Sequence, residues 1–506
     1  MSGGDVRSNE ELTAAAGGGL RWITHARIAI EIALLGSLVV LARLIPPAEF
    51  GLFAVVVIVQ ELSLTMPMEG IGSAIVQRRS ITREHLQGGM VLSLLVGGAL
   101  TLVTVILAFI LVDPLFGKRA TELILLATPW YILGALYAVP VAILRRRLDF
   151  KLLSIIDLAL NIVRGAATIA IALAGLDAEA LVLGAMTGMA AAVALATWFA
   201  TPPLPRWRGG AMRELLPYGG PAALACIAWT GFRNGDYAII GAKLGTAQAG
   251  FYWRGYQLSV ENQRKISVLM TQVAFPVLAR ATDAEAMFAL RQRMVRLLTV
   301  VLFPLLVLLA LVAPVFVPWA FGDMWEPAVL PTQILALGGA AILVTDAAGS
   351  ALMAGGRSRA LLGYGIAHFA AYAGAVLLVA SHGLAAVATA AAVVHTLFLV
   401  IAYQVLLRGG PMKALNVLWQ DVGPAAVACL GLVCVAVPVD CGLSAVGVPA
   451  LVYLFAVCAA GGLGYLVTLK VRFPAAYGDL ASAMRRVMPA RALAIVGPLS
   501  VSPRQA

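Results

Sequence analysis

Long apolar runs, separated by short turns rich in arginine, recur from about residue 20 to residue 470. A segment inside hydrocarbon must satisfy its own backbone N–H and C=O groups, and a helix needs about 20 residues to cross. The runs predict spans over 20–44, 52–70, 88–112, 122–144, 152–175, 179–200, 216–244, 249–277, 292–318, 328–352, 359–380, 384–407, 422–439 and 449–470. That is an all-α, polytopic integral membrane protein of about fourteen transmembrane helices. Composition agrees: 61% of the 506 residues are hydrophobic and 12% are charged, against about 25% charged in a soluble domain. A chain this apolar cannot be a single core folded in water. The first twenty residues are polar and rich in Gly and Ala, without the charged start, short apolar stretch and cleavage site of a signal peptide. Helix one is expected to remain in the mature protein.

The net charge of +11 is unevenly distributed. Alternate turns hold Arg78, Arg79 and Arg83; Arg145, Arg146, Arg147 and Lys151; Arg206, Arg208 and Arg213; Arg280, Arg291, Arg293 and Arg296; Arg357 and Arg359; Arg408 and Lys413. The tail adds six more basic residues, and the opposite turns have few beyond Arg43, Lys118, Arg119 and Lys243. This alternation predicts an inner (cytoplasmic) membrane protein with both termini cytoplasmic. No turn is long enough to fold alone, so no soluble catalytic domain is expected. There is no GxxxxGK[ST] loop and no metal-ligand spacing, and no cofactor is expected. Nucleic-acid binding needs a soluble basic domain, which is absent. The five cysteines are unevenly spaced, mostly in apolar runs, and read as packing residues.

The sequence also repeats itself. Residues 37–53 (SLVVLARLIPPAEFGLF) align without gaps with 236–252 (DYAIIGAKLGTAQAGFY), matching Ala48 to Ala247, Gly51 to Gly250 and Phe53 to Tyr252. GSAIVQRR (72–79) answers VAFPVLAR (273–280), and LFGKRATELILLATPW (115–130) answers AFGDMWEPAVLPTQIL (320–335). Three echoes in one order imply two parallel six-helix halves, an architecture of transporters with the substrate between the repeats. The expected organisation is an N-tail over 1–19, a first six-helix bundle over 20–205, a second over 206–407, two additional helices over 408–470, and a basic cytoplasmic tail over 471–506.

VLARLIPPAEFGLFAVVV with GIGSAIVQRRSITREH resembles the amino-terminal signature of bacterial polysaccharide flippases. These belong to the multidrug/oligosaccharidyl-lipid/polysaccharide exporter superfamily. FRNGDYAIIGAKLGTAQAGFYWRGYQL is similar to the matching signature of the second half. VAFPVLAR, FGDMWEPAVLPTQILAL and LMAGGRSRALL extend the resemblance over residues 20 to 470. It implies a V-shaped pair of six-helix bundles that opens to each side in turn. The implied cargo is an oligosaccharide repeat unit on undecaprenyl pyrophosphate, carried for cell-surface polysaccharide biosynthesis. The implied partners are that lipid-linked oligosaccharide, the membrane, and polymerase and export proteins of the pathway.

Charged groups inside a bilayer are costly and usually face a cavity or a partner. The segment 249–277 places Arg254, Gln257, Glu261, Arg264 and Lys265 on one face at about 100° per residue. Arginine suits a diphosphate because its fork binds phosphate bidentately and stays charged. Arg27, Arg233, Arg254, Arg264 and Lys265 are therefore candidate substrate contacts. Internal pairing competes with this: Glu261 can neutralise Arg264 or Lys265, and Glu31 can pair with Arg27 across one turn. Asp157, Asn161 and Arg164 share a face and can form a local network. Asp236 belongs to the second signature. Glu61 and Asp346 read as isolated intramembrane acids, each able to bind a coupling proton or to hydrogen-bond a neighbouring helix. Glu31, Glu61, Asp157, Asp236, Glu261 and Asp346 are candidates for coupling or gating.

Alternatives stay open at this level. A drug or cation exporter of the same superfamily calls for an acidic cavity, whereas these charges lean basic. A peptidoglycan-precursor flippase shares the architecture. A membrane polysaccharide polymerase or glycosyltransferase needs a sizeable outer loop with a catalytic constellation. The short turns here supply none, which favours transport over enzyme catalysis.

Overall fold

A proline or glycine marks many of the points where one helix stops and the next begins. Pro47 occupies the first turn of its helix, where the missing N–H costs no hydrogen bond. Gly245, at φ +92°, takes a backbone shape that side chains resist and lets the chain reverse between two helices. The computed structural model describes residues 30–31, 33–78, 80–261, 264–265, 284–354 and 357–487. Among them eleven helices are long and apolar enough to cross a membrane, and no strand is present. The expected spans 20–44 and 249–277 lie partly outside the described residues, as do many side chains of 216–244.

The chain divides into two units, Met1–Gly250 and Phe251–Ala506. The first contains α1 (Ala33–Leu44), α2 (Pro47–Gln77), α3 (Arg83–Phe116), α4 (Lys118–Arg147), α5 (Phe150–Leu173), α6 (Ala178–Ala200) and α7 (Gly209–Leu244). α8 (Thr246–Tyr256) begins in it and ends in the second unit. The second contains α9 (Ala284–Phe321), α10 (Val329–Ala354), α11 (Ser358–Val379), α12 (Leu384–Leu407), α13 (Pro411–Val446), α14 (Ala450–Arg472) and α15 (Pro474–Val487).

In the first unit α2 and α4 form the centre. Met68, Ile71 and Ile75 of α2 pack with Tyr137, Val141 and Leu144 of α4 and Met189, Ala192 and Ala196 of α6. α3 instead turns Leu102, Val103, Ile106, Phe109 and Ile110 outward, the surface a lipid-facing helix presents to acyl chains. α2 and α3 each contain a π turn, at Met68–Gly72 and Ala108–Val112. Each shifts the register of the faces beyond it.

Small residues set the closest approaches. A Cβ on Gly51 of α2 would run into the Thr246 carbonyl of α8, and one on Gly250 of α8 would run into the Pro47 carbonyl of α2. In the repeat alignment Pro47 corresponds to Thr246 and Gly51 to Gly250. The two equivalent segments therefore meet reciprocally, each glycine on the other's first turn, as in an isologous contact. α7 uses the same device on α2. A Cβ on Gly219 would lie 2.9 Å from the Gly70 carbonyl oxygen.

Polar contacts bind the ends of these helices. Arg146 Nη1 donates to the carbonyls of Ile75 and Val76, at 3.1 and 3.2 Å, covering acceptors that the end of α2 leaves open. Glu214 near the start of α7 pairs with Arg78. It also accepts from His85 Nε2 of α3 at 3.1 Å, while Thr82 engages the other ring nitrogen. His85 and Arg78 together hold the Glu214 carboxyl below its ordinary value. At the opposite end Arg119 joins Glu179 and Glu49, linking the starts of α4, α6 and α2.

In the second unit α9 is the common partner. Val300 and Val312 pack with Ala428, Leu432 and Ala436 of α13 and with Val457 and Tyr465 of α14. Val295 packs with Val344 of α10 and Tyr403 of α12. The added pair α13–α14 is fastened by a buried polar group. Arg291 of α9 lies 2.9 Å from Asp421 of α13, whose carboxylate also accepts from Tyr403 at 2.6 Å. The segment expected as a basic tail opens with the helix α15. Its Tyr477 and Leu480 pack on the α9–α13–α14 cluster, and its Asp479 pairs with Arg293 at 2.7 Å. Apolar residues at helical spacing bring the start of that tail onto the cluster.

Gly51→Ala is expected to lower the melting temperature of the purified protein, at a cost on the order of 1–3 kcal/mol for overpacking. Gly98→Ala, where nothing lies within 4 Å of the added carbon, should not lower it; equal losses would refute the close-approach argument. A depressed carboxyl stabilises above its unfolded value and loses that contribution as pH falls through its folded value. The melting difference between wild type and Glu214→Gln should therefore be present at neutral pH and shrink once pH drops below about 4.5, the ordinary value. A difference that persists undiminished well below that value contradicts the pairing.

Candidate functional site

The polar residues of 249–265 do not lie along one regular helix. Beyond Tyr256 the backbone makes a π turn over Gln257–Glu261, which adds a residue to the turn and rotates the segment beyond it. The even progression from Arg254 to Lys265 expected from a 100° step is broken there. Arg254 and Arg264 accordingly have different surroundings.

Arg254 is completely buried. Its guanidinium lies 4.9 Å from the ring centre of Trp325, 5.4 Å from Phe321 and 5.5 Å from Trp253, an aromatic enclosure that favours a cation. Nη1 donates to Gln257 Oε1 at 3.1 Å. Enclosed in this way, Arg254 can meet a ligand only if the rings move.

Arg264 is the more available cation. Its side chain is 12% exposed and its Nε donates to Asp346 Oδ2 of α10 at 3.3 Å, with the Asp346 side chain 30% exposed. Nη1 has no hydrogen-bond partner among the described residues. Of the two roles the sequence left open for Asp346, a coupling proton site or a bond to a neighbouring helix, the second is the one seen, as an ion pair. α10 delivers it to residue 264, a pairing that spacing along one helix cannot reveal. Glu261 and Lys265 are half-buried beside Arg264 in the sequence.

In the first unit Glu61 of α2 likewise bonds a neighbouring helix, accepting from Asn234 Nδ2 of α7 at 2.9 Å. Asp236, 3% exposed, accepts from the Tyr237 N–H at 2.9 Å. Asp157 is exposed on α5, and Asn161 donates to its backbone carbonyl rather than to its carboxylate. Glu31 is half-buried. Arg27 lies outside the described residues. Arg233 lies in α7, and its side chain is outside them.

Two arrangements escaped the sequence reading. Asp421, just outside the expected span 422–439, and Arg291, read as a turn cation, form the buried group with Tyr403. His368 and His395, on different helices, meet at 2.9 Å. Neither pairing has a local sequence signal. No group of three or more His, Cys, Asp or Glu suited to a metal ion occurs among the described residues.

A family model described as "Polysaccharide biosynthesis protein" matches residues 40–330. The chain is 25% identical over 344 residues to a Klebsiella pneumoniae protein named "Uncharacterized membrane protein in cps region", spanning 66% of this chain and 70% of that one. It is 26% identical over 350 residues to the lipopolysaccharide biosynthesis protein WzxC of Escherichia coli K12, covering 67% and 70%. Among solved structures it superposes on the lipid II flippase MurJ in an inward closed conformation with a TM-score of 0.68. That match has 12% identity and covers 89% of this chain and 98% of the other. An inward-facing multidrug resistance MATE family transporter of the MOP superfamily superposes with a TM-score of 0.55 at 15% identity, over 77% and 95%. At these identities the structural likeness is one of fold, and the fold is that of the MOP transporters. The family match spans more than half of the residues, and the chain belongs to the polysaccharide biosynthesis protein family of multi-pass membrane proteins.

Proposed function

We propose that the protein is a flippase that moves lipid-linked oligosaccharide repeat units, carried on undecaprenyl pyrophosphate, across the cytoplasmic membrane. The observation that carries this reading is Arg264, whose fork is held on one side by Asp346 and whose Nη1 has no hydrogen-bond partner among the described residues. A guanidinium prepositioned by a carboxylate, with a donor still unused, can take a phosphate oxygen without first losing its counter-charge. Family membership and the relationship to WzxC, a lipopolysaccharide biosynthesis protein, support a saccharide cargo.

In this reading Arg264 and Lys265, with Arg27, Arg233 and Arg254, make up the cationic path for the head group, and the lipid tail stays in the bilayer. Glu31, Glu61, Asp157, Asp236, Glu261 and Asp346 balance those cations or gate their access. Two six-helix repeats over 20–205 and 206–407 open to each side in turn, with 408–470 as added helices. Both termini lie in the cytoplasm. A polymerase of the same pathway receives the flipped unit.

The test is reconstitution into liposomes with defined lipid-pyrophosphate sugars, reading exposure of the sugar to an external lectin. Arg264→Gln should slow flipping roughly tenfold or more, from the loss of a charged hydrogen bond worth about 1.5–3 kcal/mol. Arg264→Lys should recover only part, because a point charge does not replace a fork. Wild-type rates in Arg264→Gln would remove the head-group assignment, and new glycosidic bonds formed by the pure protein would remove the transport reading.

A further inference from the structure

The polar residues of α2 recur at a regular spacing. Glu61, Thr65, Glu69, Ser73 and Gln77 follow one another at intervals of four. At 3.6 residues per turn each such step drifts forward by about 40°. The π turn at Met68–Gly72, closed by wider i→i+5 bonds, takes back part of that drift. The five side chains therefore stay close to one line along the helix. Of all the residues of α2 only Leu64, Glu69 and Gln77 are exposed, and two of these three belong to the row. Another side of the helix is apolar, where Met68, Ile71 and Ile75 enter the cluster with α4 and α6.

α7 runs beside this row in the opposite direction. Asn234 meets Glu61, Gly219 packs on Gly70, and Glu214 pairs with Arg78 just past the end of the row. The Tyr218 hydroxyl accepts from Gln77 Nε2 at 2.6 Å, which leaves its own hydrogen to donate. Its ring is 44% exposed, an apolar surface beside a polar tip. The Glu69 carboxylate accepts from Ser73 Oγ at 3.1 Å, its one partner among the described residues. Ser73 thus fixes the direction of the carboxylate and leaves most of its acceptor capacity unused.

The exposed groups of the row meet water rather than acyl chains. α2 has 31 residues and is about 46 Å long, against a hydrocarbon core of about 30 Å. The row therefore starts in the interfacial zone at Gln77 and runs into the hydrocarbon zone by way of Glu69. A carboxylate is costly on a lipid-facing surface, and α3 shows what such a surface looks like, because its exposed residues from Leu102 to Ile110 are all apolar. The chemistry of the row then selects among ligands in water. It holds two carboxylates and no cation, and Arg78 beyond it is engaged by Glu214, so a diphosphate is repelled. A metal ion needs several oxygens converging on one point, whereas Glu61 and Glu69 are eight residues, or about 12 Å, apart along the axis. Separate acceptors and a hydroxyl donor, spaced along a line beside an aromatic ring, suit a molecule whose hydroxyls are spread along its length, since each hydroxyl both donates and accepts.

We propose that Glu69, Gln77 and Tyr218, with Ser73 holding Glu69 in place, form a contact surface for the saccharide part of the cargo, separate from the cations assigned to the pyrophosphate. Sugar hydroxyls donate to the Glu69 carboxylate in charge-assisted bonds and to the Gln77 side-chain carbonyl, and they accept from the Tyr218 hydroxyl. The inference rests on the transport reading above and adds to it the residues that meet the sugar rather than the phosphate.

The experiment measures binding to the full chain in lipid nanodiscs of two probes: undecaprenyl pyrophosphate, and the same lipid carrying the oligosaccharide, extracted from the membranes in which the protein naturally resides. Wild type should bind the sugar-bearing lipid more tightly than the bare one. Glu69→Gln keeps the shape and removes the charge, and should weaken the sugar-bearing lipid roughly tenfold, the difference between a charged and a neutral hydrogen bond. Tyr218→Phe should weaken it about threefold, for one neutral bond. Neither should change binding of the bare lipid, whereas Arg264→Gln should weaken both probes. Equal binding of the two probes by wild type, or wild-type affinity for the sugar-bearing lipid in both Glu69→Gln and Tyr218→Phe, overturns the contact surface. Equal weakening of both probes by Glu69→Gln assigns the carboxylate to charge balance and overturns it as well. Full affinity of Arg264→Gln for both probes removes the head-group assignment and leaves the sugar comparison intact. Binding of neither probe by wild type removes the transport reading, and the contact surface with it.

Discussion

Nothing in hydrocarbon replaces water as a hydrogen-bond partner, and this governs the whole molecule. Every backbone N–H and C=O in a span must be satisfied within its own helix, which is why helix succeeds helix from α2 to α14 and why the turns are short. The same lack of solvent applies to side chains. A charge carried into the spans needs a partner from another element, and Arg264 with Asp346 or Arg291 with Asp421 are the result. Breaking one partner of such a buried pair typically costs about 3–5 kcal/mol, because it leaves the other charge uncompensated.

With little hydrophobic driving force between helices in lipid, close packing has to hold them together. Glycine is the means. Gly51 and Gly250 admit the carbonyls of each other's helices, and Gly219 and Gly70 do the same for α7 on α2. In the second unit Gly464 of α14 approaches the Gly431 carbonyl of α13, where an added carbon would lie 2.6 Å away. The reciprocal contact of Gly51 and Gly250 gives the internal repeat a physical content. At these positions the residues that match in sequence approach one another through their backbones.

The ionisable groups fall into two kinds. Some fasten helices at their ends, as Arg78, His85 and Glu214 do, or as Arg119 does with Glu49 and Glu179. Exposed pairs of this sort contribute little singly and act by setting where helix ends meet. Others lie deeper: Arg264, whose Nη1 has no hydrogen-bond partner among the described residues, and the paired rings of His368 and His395. The transport proposal depends on this second kind.

The all-helical membrane architecture, the positions of most spans and the family resemblance were legible in the sequence, because hydrocarbon imposes a length and an apolar pattern on each segment separately. Those constraints are local, and a single sequence records them. The partners of the buried charges were not legible. Asp346 reads as solitary until α10 brings it to Arg264, and Glu61 until α7 brings it Asn234. Arg254 and Arg264 read as one face until a π turn separates their surroundings. That the tail opens with a helix seated by Leu480 and Tyr477 on the α9–α13–α14 cluster was not legible either. Pairing across helices depends on packing register and on local departures from 3.6 residues per turn. Those are decided only when the helices meet.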